Sequence, residues 1–272
     1  MKRIKIGIVG CGAIGSSLAE YVANNFLRQA QLAAIYDLDN FKSVILAQKV
    51  GKKSLAAKSL KALIKRSDLV IEAASAKSSF DIAAIALKAK KDIMVMSVGG
   101  IVRGFPVLYK LAVENNRKIY IPSGALSGID ALKAAKINRV QSVTLITTKN
   151  PSGFKGVEYL KGKGISLSGL KKEAVLFSGS AEDAVRYFPQ NINVAAVLSL
   201  SGIGIRKTKV KIVASPKVNR NIHEVRIKSS AGNIFTRTEN VLHPDNPKTS
   251  YLAVLSAAAV LKRILEPVII GT

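Results

Sequence analysis

The stretch Lys5–Ser16 has the sequence KIGIVGCGAIGS and decides the fold of the chain that follows it. The apolar residues before the glycines are typical of a strand buried on both faces of a parallel sheet. Gly10, Gly12 and Gly15 then have the G-x-G-x-x-G spacing of a tight turn, room for a pyrophosphate and close helix–strand packing. Residues 13–25 are predicted to form a helix whose amino end faces the diphosphate. The pattern predicts a dinucleotide-binding unit.

An acidic residue follows at the distance that this motif requires. A second apolar run, residues 32–36 (LAAIY), ends in Asp37, which lies 22 positions beyond Gly15. A carboxylate about 20 residues after the glycines holds a ribose 2′-OH. The alternative, a glycine turn with an unrelated surface aspartate, is disfavoured by this spacing. Asp37 favours NAD because its charge repels a 2′-phosphate, while Asn40 and Lys42 leave room for some use of NADP.

Composition sets the broad class of the protein. The chain has 272 residues, 48% hydrophobic and 22% charged, which is typical of a globular protein with a sizeable core. No apolar run is long enough for a membrane span. The single cysteine, Cys11, excludes an internal disulfide framework and a multi-thiol metal site, and no metal is expected. A cytoplasmic location is the natural expectation.

The chain is strongly basic, with 42 Lys and Arg against 17 Asp and Glu, a net charge of +25. Charge alone raises nucleic acid as a partner. The basic residues are spread along the whole chain, aromatic residues are only 6%, and no nucleic-acid module is recognisable. We expect a solvated basic surface that attracts anionic cofactors and substrates and binds nucleic acid only non-specifically.

Strands and helices are predicted to alternate up to about residue 138, the signature of a Rossmann-type doubly wound parallel sheet in an α/β fold. One predicted strand is Asp92–Ser97, followed by Val98-Gly99-Gly100. Ligands bind at the carboxyl ends of such strands. The candidate cofactor-binding residues of this part are Gly10, Gly12, Ala13, Ile14, Gly15, Asp37, Ala74, Ser75, Ser97, Val98 and Gly99.

The pattern of residue types changes near residue 139, where β-branched residues become common. Residues 139–240 are predicted to form an α+β substrate domain with a mostly antiparallel sheet, after a dinucleotide-binding domain at 1–138. Residues 150–164 are predicted to be a loop that covers a site. The apolar helix 251–264 lies in a C-terminal segment, 241–272, that is expected to return to the first domain.

A dinucleotide domain joined to an α+β domain suggests hydride transfer, which needs a proton shuttle. The chain has two histidines. His223 lies at a predicted loop-to-strand junction, a suitable place for a general acid or base, whereas His243 lies in a proline-flanked loop and is predicted to face solvent. A hydrogen-bonded surface histidine is the alternative for both, and spacing alone leaves His223 undecided. Cys11, inside the glycine motif, is expected to serve only in packing.

Five ordered motifs that span almost the whole chain resemble those of the L-aspartate dehydrogenase family. They are Gly10–Gly15 (GCGAIG), Ser123–Leu132 (SGALSGIDAL), Phe188–Ala196 (FPQNINVAA), Asn221–Glu224 (NIHE) and Asn246–Ser250 (NPKTS). The resemblance implies NAD(P)-dependent oxidative deamination of L-aspartate through iminoaspartate to oxaloacetate and ammonia. It also implies a homodimer and, as one fate of the imine, hand-over to quinolinate synthase in de novo NAD formation.

The resemblance also assigns roles to individual residues. The catalytic histidine of the family corresponds to His223. Nicotinamide contacts correspond to Ala125, to Ser127, where an alanine is usual in the family, and to Asn193. Asn193 is also a candidate for contact with the substrate. Independently of the resemblance, the two substrate carboxylates need cationic or hydroxyl partners, for which Lys248, Thr249 and Ser250 are the candidates and Arg237 a weaker one. The alternative for Lys248 is an ordinary surface lysine of a basic protein.

Two other classes of protein remain open at this point. One is another two-domain reductase, similar to dihydrodipicolinate reductase or homoserine dehydrogenase, against which the motifs around His223 and Asn193 argue. The other is a dinucleotide-sensing regulatory or nucleic-acid-binding protein, which the positive charge suggests.

Overall fold

The structure is a computed structural model that describes residues 3–188, 193–244 and 246–271. The chain divides into two compact units. The first comprises Met1–Pro122 and Val254–Ile269, and the second comprises Ser123–Ala253 and Ile270–Thr272.

The first unit alternates strands and helices, as predicted. Its elements before Pro122 are β1 (Ile4–Val9), α1 (Ala13–Asn25), β2 (Ala30–Tyr36), α2 (Asn40–Lys49), a 3-10 helix (Lys53–Leu55), α3 (Leu60–Arg66), β3 (Leu69–Glu72), α4 (Ser79–Lys88), β4 (Asp92–Val95), α5 (Val98–Ile101), α6 (Phe105–Glu114) and β5 (Ile119–Tyr120). The strands form one parallel sheet in the order β2-β1-β3-β4-β5. The chain order reverses between β1 and β3, and ligands of such sheets bind at the carboxyl ends of strands beside this reversal.

The end of β4 differs from the prediction that a strand extends over Asp92–Ser97. The strand ends at Val95, and Val98–Ile101 forms the short helix α5. The cause lies in the neighbouring strand, because the Ser97 N–H donates to the carboxylate of Glu72 at 3.0 Å instead of to a backbone carbonyl. The chain therefore leaves the sheet at this point.

The second unit contains an α+β fold, as predicted. Its elements are α7 (Ile129–Lys136), β6 (Val140–Lys149), a 3-10 helix (Pro151–Phe154), α8 (Glu158–Gly162), β7 (Ala174–Ser180), α9 (Ala181–Tyr187), α10 (Asn193–Ser201), β8 (Lys209–Ala214), β9 (Asn221–Ser229), β10 (Gly232–Asn240), β11 (Leu242–His243) and β12 (Asn246–Ser250). The main sheet has the order β10-β9-β6-β8-β7. β6 and β8 run parallel, and the other neighbouring strands of this sheet run antiparallel.

The prediction of a loop over residues 150–164 is wrong, since this segment contains the second 3-10 helix and α8. Phe154 and Leu160 are buried in the core of the second unit, which fixes both turns. The proline and the glycines suggested a loop because they interrupt any helical period. Two one-turn helices are too short to show such a period.

The boundary between the two units also differs from the position given by sequence. The alternation of strands and helices continues through α7, which led to a predicted boundary at residue 138. Leu132 of α7 is instead fully buried in the core of the second unit, beside residues such as Leu145 and Val225. A helix belongs to the unit whose core receives its apolar face.

The last helix, α11 (Tyr251–Leu265), confirms the prediction that the C-terminal helix packs on the first domain. Val254, Ala257 and Leu261 lie on one face of this helix and are buried in the core of the first unit with residues such as Ile6 and Leu18. Their spacing is that of one helical face.

Shortening the side chain of Leu261 is expected to destabilise the first unit. Leu261 is fully buried, so Leu261→Ala should lower the free energy of unfolding by about 2–5 kcal/mol. Leu255, on the same helix and 42% exposed, is the matched control, and Leu255→Ala should cost about 1 kcal/mol or less. Urea titration of both variants tests this, and equal midpoints would contradict the packing described for α11.

Candidate active site

The glycine turn after β1 is tightly packed at two of its three glycines. Gly10 has φ +97°, and a Cβ there would lie 2.5 Å from the carbonyl oxygen of Ala73. A Cβ at Gly15 would overlap the carbonyl oxygen of Gly10. These two glycines are therefore required by the packing of the turn against β3 and α1.

Gly12 differs from the other two glycines. A Cβ at Gly12 would meet no described atom within 4 Å, and its backbone, with φ −74° and ψ −173°, is open to any residue. Gly12 is the N-cap of α1, and no side chain makes a capping hydrogen bond at this helix end. The space in front of Gly12 and the N–H groups of α1 together suit an anionic group.

Asp37 lies against the glycine turn, as its spacing predicted. Its Oδ2 accepts from the Cys11 N–H at 2.7 Å, and its Oδ1 accepts from the Asp39 N–H at 2.9 Å. Burial, and next the charge of Asp37, raise the pKa of the Cys11 thiol to about 12. Cys11 therefore stays a thiol at neutral pH, which agrees with a role in packing.

Glu72 positions two turns at this edge of the sheet, and sequence reasoning missed it. This glutamate is fully buried at the end of β3, where its carboxylate accepts from the Ala74 N–H at 2.9 Å and from the Ser97 N–H at 3.0 Å. Burial raises the pKa of Glu72. Its side chain thus fixes the turns that follow β3 and β4. A glutamate inside the apolar run LVIEAA was the available signal.

The predicted cofactor residues of the first unit meet at one edge of the parallel sheet. The Gly10 N–H donates to the carbonyl of Tyr36 at 2.8 Å, and the Ala73 N–H donates to the carbonyl of Val9 at 2.8 Å. The ends of β1, β2 and β3 are thereby joined, and Glu72 joins the end of β4. The residues brought together at this edge are Gly10, Gly12, Ala13, Ile14, Gly15, Asp37, Ala74, Ser75, Ser97, Val98 and Gly99.

In the second unit, one face of β6 changes from apolar to polar along its length. Val143 and Leu145 are buried in the core, and Thr147 and Lys149 are buried further along the same face. Alternate residues of a strand share a face, so the four side chains form one row. The polar end of this row is where the candidate catalytic residue lies.

His223 lies directly opposite Thr147 in the antiparallel pair of β9 and β6. His223 is 3% exposed, and its Nδ1 lies 3.1 Å from the hydroxyl Oγ1 of Thr147. A neutral imidazole carries a single N–H, so a ring that donates from Nδ1 to Thr147 has Nε2 as its basic nitrogen.

The electrostatics of this face keep His223 neutral. Burial, and next the charge of Lys149, lower the pKa of His223 to about 3. Burial also lowers the pKa of Lys149 to about 8. The imidazole is therefore unprotonated across the neutral and alkaline range, as a general base has to be.

The predicted nicotinamide loop is attached to β10, the neighbour of β9. The hydroxyl of Thr236 donates to the carbonyl of Ser127 at 3.2 Å, and the hydroxyl of Thr238 donates to the carbonyl of Ala125 at 3.1 Å. Thr238 lies opposite His223 in the sheet. These two bonds bring Ala125 and Ser127 to the strand beside the catalytic candidate.

Asn240 is a second residue that sequence reasoning missed. Its Nδ2 donates to the carbonyls of Ala125 and Asn221, at 3.2 and 3.3 Å. Its Oδ1 is buried and has no hydrogen-bond partner among the described residues. A buried amide oxygen of this kind is costly unless a donor reaches it. Asn240 thereby holds the Ala125 segment against the end of β9.

The predicted substrate residues are only partly described. The Oγ of Ser250 is buried and accepts from Nδ2 of Asn221 at 3.2 Å, two residues from His223 on β9. Thr249 is half-buried beside Ser250, whereas the side chain of Lys248 lies outside the described residues. Asn193 is exposed at the first turn of α10, and residues 189–192 of its motif also lie outside the described part.

Two expectations from the sequence are corrected here. His243 does not face solvent, since it is 2% exposed and its ring packs edge-on against Tyr251 at 5.6 Å between centroids. Arg237 alternates with Thr236 and Thr238 and so lies on the other face of β10, where it pairs with Glu224 at 2.6 Å. The NPKTS motif, Asn246–Ser250, forms the strand β12.

Comparison with known proteins gives the same organisation. Residues 10–122 match the family described as "Homoserine dehydrogenase, NAD binding domain". Residues 130–264 match the family described as "Aspartate dehydrogenase, C-terminal". Together with the glycine turn, these matches define a two-unit oxidoreductase with an NAD-binding Rossmann-type domain.

Full-length relatives identify the family. The chain is 43% identical over 271 residues to the L-aspartate dehydrogenase of Methanosarcina barkeri, covering 99% of this chain and 100% of the relative. It is 44% identical, with the same coverage, to that of Methanosarcina acetivorans. The crystal structure of aspartate dehydrogenase from Thermotoga maritima has a TM-score of 0.76 at 27% identity, covering 99% of this chain and 100% of that one. The chain belongs to the L-aspartate dehydrogenase family.

Within residues 3–188, 193–244 and 246–271, no helix combines the length and apolar character that crossing a bilayer requires.

The open space at Gly12 generates a prediction about cofactor binding. Gly12→Ala should leave the free energy of unfolding nearly unchanged, because no described atom lies within 4 Å of the new methyl group. The variant should nevertheless bind NAD at least about tenfold more weakly, since the methyl group would occupy the place of the pyrophosphate. Calorimetric titration with NAD measures the affinity.

The control for Gly12→Ala is Gly162→Ala in α8, where a Cβ would also meet no described atom within 4 Å. Gly162→Ala should leave the affinity for NAD unchanged and should raise the free energy of unfolding by about 1 kcal/mol or less, since alanine has the higher helix propensity. Unchanged affinity in Gly12→Ala would show that the dinucleotide does not cross this turn.

Proposed function

We propose that this protein catalyses NAD-dependent oxidative deamination of L-aspartate, through iminoaspartate, to oxaloacetate and ammonia. The observation that carries the proposal is a buried, neutral His223 that is bound to Thr147 on a polar face in a chain of this family. Membership of the L-aspartate dehydrogenase family supports the choice of substrate.

The residues at the edge of the first sheet fit a nicotinamide dinucleotide. Gly12 leaves space for the pyrophosphate, α1 directs its N–H groups towards it, and Asp37 stands beside the turn to receive a ribose hydroxyl. When bound, the cofactor accepts a hydride from Cα of the substrate. Ala125, Ser127 and Asn193 are proposed to contact the nicotinamide end.

His223 is proposed to act in the hydrolytic half of the reaction. Loss of hydride from Cα of aspartate leaves an iminium, which a water molecule attacks at the same carbon. Nε2 of His223 takes a proton from that water and returns it to the nitrogen of the resulting carbinolamine, which then expels ammonia while its hydroxyl group gives up its proton to the same Nε2, leaving oxaloacetate. In this proposal Nδ1 donates to Thr147, which leaves Nε2 as the basic nitrogen.

Two further features of the proposal concern selectivity and assembly. The carboxylate of Asp37 supports NAD over NADP because it would repel a 2′-phosphate. Lys248, Thr249, Ser250 and Asn193 are proposed substrate contacts. The family resemblance supports a homodimer and delivery of iminoaspartate to quinolinate synthesis.

Aspartate-dependent reduction of NAD at alkaline pH, followed at 340 nm, tests the proposed reaction. His223→Ala should lower kcat by about 10²- to 10⁴-fold, since it removes the only base proposed for the water. Thr147→Val, which removes only the hydroxyl partner of the ring, should lower kcat by a smaller factor.

His243→Gln is the matched control, because it changes the other buried histidine of the chain and leaves His223 intact. Circular dichroism and NAD affinity establish that each variant is folded. Full activity in His223→Ala would defeat the mechanism, and a wild-type protein without turnover on aspartate would defeat the assignment of substrate.

Replacing Asp37 is expected to change the cofactor preference. Asp37→Ser removes the charge that opposes a 2′-phosphate, so the ratio of kcat/KM for NADP to that for NAD should rise at least about tenfold. Asp39→Ser is the control, because it removes a nearby charge while a serine still caps α2. An equal change of the ratio in both variants would mean that Asp37 has no specific contact with the ribose.

A further inference from the structure

Glu72 brings a negative charge to the edge of the parallel sheet where the cofactor-binding candidates meet. It is the last residue of β3 and is fully buried. Its Oε1 accepts from the Ala74 N–H at 2.9 Å, and its Oε2 accepts from the Ser97 N–H at 3.0 Å. The Ser97 hydroxyl is a further hydrogen-bond partner of this carboxylate. Both oxygens therefore have donors, and hydrogen bonds of this kind favour the ionised form.

These hydrogen bonds account for the two oxygens of Glu72 but not for its charge, because every donor is neutral. No Lys, Arg or His of the described part of the chain forms an ion pair with Glu72. Burial raises the pKa of Glu72, which is the effect that a nearby cation would oppose. A buried charge is costly unless it is paired. A cationic group of a ligand at this edge would lower that cost.

The other cofactor candidates indicate which half of a dinucleotide comes to Glu72. Asp37, after β2, is the candidate for the ribose of the adenosine half, and Gly12, after β1, is the candidate for the pyrophosphate. The chain order of the sheet reverses between β1 and β3. A dinucleotide bound across this reversal is expected to extend its nicotinamide half towards the ends of β3 and β4, which Glu72 connects.

The nicotinamide half is also the half whose charge changes in hydride transfer. The oxidised ring carries one positive charge, and the ring is neutral once it has accepted a hydride. A negative charge fixed nearby therefore stabilises the oxidised form more than the reduced form. Two opposite unit charges about 10 Å apart in a protein attract strongly enough to change an affinity about tenfold.

We propose that the carboxylate of Glu72 is the countercharge of the oxidised nicotinamide ring and raises the affinity of the protein for NAD⁺ relative to NADH. The inference rests on the proposed function, in which NAD accepts the hydride. Glu72 then has two separable roles. Its hydrogen bonds position the turns after β3 and β4, and its charge discriminates between the two oxidation states of the cofactor.

Calorimetric titration of Glu72→Gln with NAD⁺ and with NADH, without substrate, tests the inference. The amide has nearly the shape of the carboxylate and carries no charge. The ratio of Kd for NADH to Kd for NAD⁺ should fall about tenfold, because only the oxidised cofactor loses an attraction. An equal weakening of both forms would overturn the inference, since it marks a residue that acts only by positioning the turns. Unchanged affinities for both forms would overturn it as well.

Glu72→Asp separates the charge from the position. Aspartate keeps the charge, but its side chain is one methylene shorter and loses the bonds to Ala74 and Ser97. Both affinities should fall together, with their ratio within about threefold of the wild type. If circular dichroism shows that Glu72→Gln does not fold, this variant decides. A ratio that falls about tenfold although the charge is kept would then refute the countercharge.

Asp68→Asn is the matched control. Asp68 directly precedes β3 and accepts from the Lys5 N–H at 3.0 Å, so it lies at the opposite end of the strand that ends in Glu72. Its substitution also removes one negative charge from the first unit, yet the ratio of the two dissociation constants should stay that of the wild type. An equal change of the ratio in Asp68→Asn and Glu72→Gln would mean that net charge, and not Glu72, sets it.

These binding measurements need no turnover, and they therefore separate the inference from the proposed function. If the wild type fails to oxidise aspartate but shows a ratio that depends on Glu72, the proposed reaction is wrong and the countercharge stands. If the wild type oxidises aspartate and Glu72→Gln leaves the ratio unchanged, the countercharge is wrong and the proposed reaction stands.

Discussion

The hydrogen bond between Thr147 and His223 is the interaction on which the rest of the second unit's chemistry depends. It forms because two strands place these residues directly opposite each other on a face that is otherwise the core. Buried polar groups are tolerated when they form hydrogen bonds with one another. Their positions are then well defined, because few other partners are available in the core. The same sheet that buries Leu145 thereby fixes the position of the His223 ring.

The site on the first unit is built on a different constraint, the close approach of backbone segments. Gly10 and Gly15 are needed because other parts of the chain already occupy the place of a side chain, whereas Gly12 faces open space. One motif therefore contains both structural and binding positions. Glu72 adds a polar contact, since its carboxylate accepts from two backbone N–H groups that follow the ends of β3 and β4 and are not paired in the sheet.

The sequence predicted the parts of this arrangement that have a period or a fixed spacing. The alternation around Gly10–Gly15, the distance to Asp37 and the helical face of α11 all follow from such patterns, and the structure confirms the fold. Prediction from the sequence failed where burial in the folded chain determines the surroundings of a residue. Nothing local distinguishes Lys149 or Asn240 from the many polar residues of a basic chain, because their burial comes from contacts that are distant in sequence: Lys149 pairs with Ala214 of β8, and Asn240 donates to the carbonyl of Ala125. His243 was misplaced because the flanking prolines suggested an exposed loop, whereas its ring packs against Tyr251.

His223 and Lys149 are buried on one face of the second unit's main sheet, and burial lowers the pKa of both groups. The charge of Lys149 is the second cause that lowers the pKa of His223. The imidazole is therefore kept neutral first by the apolar surroundings that it shares with Leu145 and Val225 and only then by a neighbouring charge. The protonation state of His223 is thus set by the same packing that holds the sheet together, so a change in that packing would change the strength of the base as well as the stability of the unit.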